Sequence, residues 1–139
     1  MKKFLGVIVA MMLMFGVGSN VTEASTKAGV SVNTTKVQYS NPDKFVAIAV
    51  KNHNGHMVGV DIQPQRKVNG KWVNLDWYDA EFIYSGEKVY TKTALRDFVK
   101  TGTYRFHVSV ITFDKKGFEK SRKTINTNKF TIKAKYKRL

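Results

Sequence analysis

Gly102-Thr103-Tyr104-Arg105-Phe106-His107-Val108-Ser109-Val110 sets apolar and polar residues in strict alternation. Successive side chains of a β-strand point to opposite faces. Tyr104, Phe106, Val108 and Val110 therefore form one inward row, and Arg105, His107 and Ser109 an outward one. A helical period of 3.6 would scatter the same residues around the axis, so the stretch reads as a half-buried strand.

The same period extends along the chain in both directions. Upstream, Val30 and Val32 open a strand that resumes at Val37 and Tyr39, before the turn cluster Asn41-Pro42-Asp43. Val46, Ile48 and Val50 alternate with Phe45, Ala47 and Ala49, which predicts a strand covered on both faces. After the turn Asn52-His53-Asn54-Gly55, Val58, Val60 and Ile62 make another inward row. Asn69-Gly70 is the strongest local signal. Both residues tolerate the positive φ of a type I′ turn, so a two-residue hairpin joins Arg66-Lys67-Val68 to Lys71-Trp72-Val73. Val89, Thr91 and Thr93 alternate with Lys88, Tyr90 and Lys92, as in a strand with one solvated face. Residues 94–100 form one helical turn or a loop. Downstream, Asp114-Lys115-Lys116-Gly117 turns the chain, and Phe130, Ile132, Ala134 and Tyr136 oppose Lys129, Thr131, Lys133, Lys135 and Lys137. Short strands separated by turn signals predict an all-β fold, a single antiparallel β-sandwich of about seven to eight strands.

Thr101-Gly102-Thr103-Tyr104-Arg105-Phe106 resembles the G-x-Y-x-F entry to the penultimate strand of immunoglobulin-like and fibronectin-III-like sandwiches. The resemblance implies that Tyr104 is a buried corner residue whose hydroxyl bonds upstream backbone. The overall layout is also similar to small exported YolA-like proteins of bacilli.

The beginning of the chain has a different character. Lys2 and Lys3 precede an uncharged stretch from Phe4 to about Val21, and Thr22-Glu23-Ala24 puts small residues three and one before a cut after Ala24. This is the order of a secretory signal peptide. Gly16, Gly18, Ser19 and Asn20 dilute the apolar run, which argues against a retained span of about 20 apolar residues. Residues 1–24 are thus expected to be a cleaved signal and 25–139 a secreted, extracellular domain. The chain has no cysteine, which excludes a thiol-linked lipid anchor and disulfide staples. It fits an exporting cell that does not rely on oxidative folding.

The 139 residues carry a formal charge of +14, which becomes +13 once Lys2, Lys3 and Glu23 are removed. Such a charge favours anionic partners. It is concentrated after Asp114, and Lys129, Lys133, Lys135, Lys137 and Arg138 are the expected anionic-surface residues. Asp76, Asp79, Glu81, Glu87 and Asp97 gather in the middle of the chain. Trp72, Trp77, Tyr78 and Tyr84 belong to an aromatic-rich stretch that could stack on sugar rings. For Trp72 the competing expectation is burial as a sandwich tryptophan, and Trp77 and Tyr78 stand open between core and surface, needing hydrogen-bond partners if buried.

Catalytic chemistry finds little support. There is no Gly-x-Ser-x-Gly elbow, no cysteine nucleophile and no glycine-rich phosphate cradle, and the middle carboxylates read as solvated rather than as a glycosidase pair. His53 and His56 flank one turn, but two ligands do not make a metal site. No cofactor and no metal are expected. The sequence reading is a secreted, non-catalytic binding protein contacting an anionic polymer, lipid or glycan surface of the cell envelope or matrix, with no nucleic acid expected. Its alternative is a secreted effector (a toxin, an antimicrobial or an inhibitor of an exported protein) acting through the aromatic loop around Trp77.

Overall fold

The computed structural model describes residues 24–40 and 43–133. In chain order the strands are β1 (Ser25–Lys27), β2 (Val30–Thr34), β3 (Gln38–Tyr39), β4 (Phe45–Asn52), β5 (Val58–Val68), β6 (Lys71–Asn74), β7 (Asp79–Ile83), β8 (Lys88–Ala94), β9 (Gly102–Phe113), β10 (Glu119–Asn126) and β11 (Phe130–Ile132). They form two sheets. The smaller has the order β1-β2-β4-β8; the larger runs β3-β11-β9-β5-β6, with β10 also beside β9 and β7 also beside β5. All ladders are antiparallel except β3 with β11. The result is a β-sandwich whose inward rows meet in one core.

The alternating rows explain that core. Val30 and Val32, Val46, Ile48 and Val50, Val58, Val60 and Ile62, and Tyr104 to Val110 at every second position are all buried. An aromatic cluster fills one end. Phe98 meets Trp77, Tyr104, Phe106 and Phe130 edge-on, with ring centroids 5.6, 5.2, 6.1 and 6.0 Å away. Edge-to-face contacts place the positive ring edge on the negative face of a neighbour. The segment holding Phe98 is the uncertain 94–100 stretch. It contains a single 3-10 turn, Leu95–Asp97, which carries Leu95 and Phe98 over the end of the sandwich.

Several expectations held at residue level. Asn69 and Gly70 have φ of 50° and 78° and join β5 to β6 in the two-residue hairpin. Tyr104 is buried, and its hydroxyl donates to the carbonyl of Lys100, four residues upstream. Burial pushes the Tyr104 phenol above its ordinary pKa.

Others need correction. The strands number eleven among the described residues, with the short β1, β3 and β11 and the edge strand β10 among them. β4 is covered on both faces only around Ala49, which is 5% exposed; toward its start Phe45 is half exposed and Ala47 partly so, on the outer surface of the smaller sheet. The first strand does not simply resume after residue 34. β2 lies in the smaller sheet and β3 in the larger, so the chain changes sheets between them. β10 has no clear alternation because it is an exposed edge strand, Glu119-Lys120-Ser121-Arg122-Lys123-Thr124, that buries only Ile125 deeply.

The break between β6 and β7 follows from Pro64 in the middle of β5. Proline has no N–H to give to a ladder. Leu75 N still donates to Pro64 O (3.0 Å), while the side-chain amide of Gln63 donates to the carbonyls of Leu75 (3.0 Å) and Trp77 (3.1 Å). The edge strand is interrupted there, and Trp77 turns onto the core.

Candidate functional site

The outer face of the larger sheet carries a compact group of polar and aromatic side chains around Trp72. The hairpin at Asn69-Gly70 places Lys67 opposite Trp72 and Gln65 opposite Asn74. β9 lies on the other side of β5, with Arg105 opposite Gln65. The outward rows of three strands thus converge. The Arg105 guanidinium stacks 4.3 Å from the Trp72 ring centroid, and Lys67 Nζ lies 5.8 Å from the same ring. Arg105 Nε donates to Gln65 Oε1 (2.7 Å), and Gln65 Nε2 donates to Asn74 Oδ1 (2.8 Å). Partial burial lowers the Arg105 pKa without discharging it.

β11 adds to this face. Phe130 pairs with Tyr104, so Lys129 stands level with Arg105, and Thr131 pairs with Thr103. Lys129 and Lys133 are both exposed, whereas Phe130 and Ile132 are buried, as the alternation requires. Lys135, Lys137 and Arg138 lie outside the described residues, as do Ala134 and Tyr136. So does the expected signal segment up to residue 23.

Arg105, Lys67, Lys129 and Lys133 have no carboxylate within ion-pair distance among the described residues. The ion pairs there are Lys36 with Asp43 and Arg122 with both Asp61 and Glu119. The latter pairs neutralise the acids of the same face at its other end. Arg122 accordingly holds the Glu119 carboxyl below its ordinary range. The cations around Trp72 are left for solvent or a ligand.

The aromatic residues singled out from sequence do not form one platform. Trp72 is on the outer face under Arg105 and is only half-buried, which corrects the expectation of a core tryptophan. Trp77 is the inward one: it packs against the core and Phe98, and its Nε1 is buried with no hydrogen-bond partner. Tyr78 and Tyr84 are both about two-thirds exposed, but Tyr84 follows the far end of β7. About ten strand positions, roughly 30 Å, separate its level on β5 from that of Trp72. Near Tyr84 lies a second group: Phe82 packs on Phe113 (5.9 Å) across Gly59, where a Cβ would meet Phe113 at 3.1 Å. Phe82 and Phe118 are 64% and 68% exposed, so this end presents apolar rings beside the Arg122 ion pairs.

The histidines go separate ways. His53 Nε2 shares a hydrogen bond with Ser31 Oγ (2.9 Å), His56 Nδ1 contacts the Met57 carbonyl (3.2 Å), and His107 Nδ1 pairs with Asn126 Oδ1 (2.7 Å). Among the described residues no three His, Asp or Glu side chains converge. Of the middle carboxylates, Glu81 accepts from Thr91 Oγ1 (3.0 Å) and ties the open edges of the two sheets together.

Sequence reasoning named Trp72 and Lys129 but missed Lys67, Gln65, Asn74 and Arg105. Counting outward from Asn69-Gly70 would have paired Lys67 with Trp72 and Gln65 with Asn74. The approach of Arg105 depends on the β5–β9 ladder, which no local signal reveals. No protein-family model and no curated protein matches the chain.

Proposed function

We propose that this chain is an exported, non-catalytic binding module that holds an anionic or glycan polymer of the cell envelope or matrix against the Trp72–Arg105 face. The observation carrying this reading is the stack of Arg105 on Trp72 beside Lys67 and Lys129, with no carboxylate pairing them among the described residues. A flat ring offers a stacking surface for a sugar, and the surrounding cations and the Gln65–Asn74 amides offer donors to its charged or hydroxyl groups. The charge of +14 supports encounter with such a polymer. Export is supported by the charged, apolar and small-residue order of residues 1–24.

An immunoglobulin-like identity for the sandwich is part of the proposal. It is supported by the sheet that β2, β4 and β8 share, by the sheet that β5, β9 and β11 share, and by the Tyr104 hydroxyl donating to Lys100 at the entry to β9. Co-sedimentation with purified cell envelope over a salt series tests the function. The Arg105→Gln/Lys129→Gln variant should lose most low-salt binding and differ little from wild type near 1 M salt, where the Debye length is about 3 Å.

The exposed rings at the other end of the same face favour a second reading. An exported effector would bury Phe82, Tyr84 and Phe118 in a protein partner, in place of the inward-turned Trp77. Binding by that route would persist in high salt and be lost on replacing Phe82 and Phe118.

A further inference from the structure

The outer face of the smaller sheet presents a different arrangement. Lys51 on β4 and Lys88 on β8 are directly opposed, and both are exposed. Like charges at facing positions of an antiparallel pair repel one another. No carboxylate relieves them, because neither ammonium has one within ion-pair distance among the described residues. The neighbouring outward positions are small or polar. Ser31 pairs with Lys51 on the other side of β4, and the next row is Asn33, Ala49 and Tyr90. Ala24, Ser31, Asn33, Ala49, Lys51 and Lys88 line a shallow hollow of about 110 Å³ in the uncleaved chain; a cut after Ala24 removes that one wall and leaves the strand residues Ser31, Asn33, Ala49, Lys51 and Lys88 in place. Lys92 and Tyr90 extend the same face, with Lys88 Nζ 5.3 Å from the Tyr90 ring.

We infer that this hollow binds one phosphate group of a linear phosphate polymer, held between the Lys51 and Lys88 ammoniums over the Ala49 floor. The two ammoniums supply up to six donors, which suits a tetrahedral oxyanion with several acceptor oxygens; the Ser31 hydroxyl beside them is engaged with His53 Nε2 at 2.9 Å. Binding converts a repulsive cross-strand pair into two attractive contacts with one anion. The site lies on the sheet opposite the Trp72–Arg105 face and does not depend on it. Taken with the proposed function, on which this further step rests, it makes the protein bivalent, able to bridge two polymer strands.

Linear inorganic polyphosphate is the probe, with free inorganic phosphate as the comparison, and NMR of the exported protein at low salt is the readout. Polyphosphate should shift the resonances of Ser31, Ala49, Lys51 and Lys88, and free phosphate should do so only weakly. The Lys51→Gln/Lys88→Gln variant should lose those shifts. Its salt slope of log affinity should fall by roughly 0.7 per lysine, the order seen for single-stranded phosphodiester chains. Bridging should make wild type turn polyphosphate solutions turbid; the Trp72→Ala/Arg105→Gln variant should keep the shifts at Ala49 and leave the solution clear, because one site remains and bridging needs two. Silence at Ser31, Ala49, Lys51 and Lys88 in the wild type overturns the site, and so does loss of those shifts in the Trp72→Ala/Arg105→Gln variant. A response there with none at the Trp72 indole leaves the hollow standing and removes the proposed function instead.

Discussion

Arg105 covers the ring of Trp72 at 4.3 Å while its Nε is anchored on Gln65 Oε1 at 2.7 Å. Two contacts therefore fix the guanidinium, the Trp72 ring face and the Gln65 amide oxygen, while the side chain stays partly exposed. Lysine cannot reproduce this, since its ammonium is a point charge with neither planar face nor fork. Arg105→Lys should cost about 0.5–1 kcal/mol of stability, the range for a partly exposed cation–π contact. It should also weaken polymer binding, although the formal charge is unchanged. Equal binding by both proteins in a salt series would show that only charge matters at this position.

Tyr104→Phe removes the donor to Lys100 and leaves the stacked contact with Phe130 in place (5.8 Å, 19° between planes). A loss of about 0.5–1.5 kcal/mol is expected in urea unfolding, the net worth of one hydrogen bond. An unchanged midpoint would mean that the hydroxyl contributes nothing to this corner.

Phe98 touches four other rings of the core from a segment with almost no regular structure. Phe98→Ala should destabilise by about 3–5 kcal/mol, as large-to-small core changes do. A loss below about 1 kcal/mol would show that the 94–100 segment contributes little to the fold.

Asp43 accepts from Lys36 Nζ at 2.6 Å and from the Ser40 amide at 2.9 Å. The lysine hydrogen bond holds its carboxyl below the ordinary aspartate value. A depressed folded pKa contributes stability that is present above the unfolded pKa of about 4 and lost as pH falls through the folded value. Asp43→Asn should be less stable than wild type at pH 7, and the gap should close on acidification below about pH 4. Parallel stability curves from pH 7 to 2 would contradict this assignment.

The legible parts of the molecule were those written locally. Period-two rows identified the inward faces of β2, β4, β5, β8 and β9, and Asn69-Gly70 located a hairpin to the residue. The illegible parts depend on residues distant in sequence. β10 buries too little to alternate. The 75–78 break depends on Pro64 meeting the edge strand, so nothing local decided between core and surface for Trp77 or turned Trp72 outward. Lys51 and Lys88 face each other only because β4 and β8 pair across more than thirty residues. For the same reason Lys129 was recognisable as an exposed cation but not as a neighbour of Arg105.

The two tryptophans make the central claim directly measurable, since Trp77 is inward and Trp72 lies on the candidate face. Trp77→Phe should be close to neutral for stability, because it keeps a ring against Phe98 and removes a buried N–H that has no partner. It leaves Trp72 as the single tryptophan of the chain. Titrating this variant with purified anionic wall polymer at about 10 mM salt, where the Debye length is about 30 Å, should change the Trp72 emission saturably. Raising salt to about 1 M should reverse the change. Polymer that co-sediments with the protein while Trp72 emission stays constant would contradict the account.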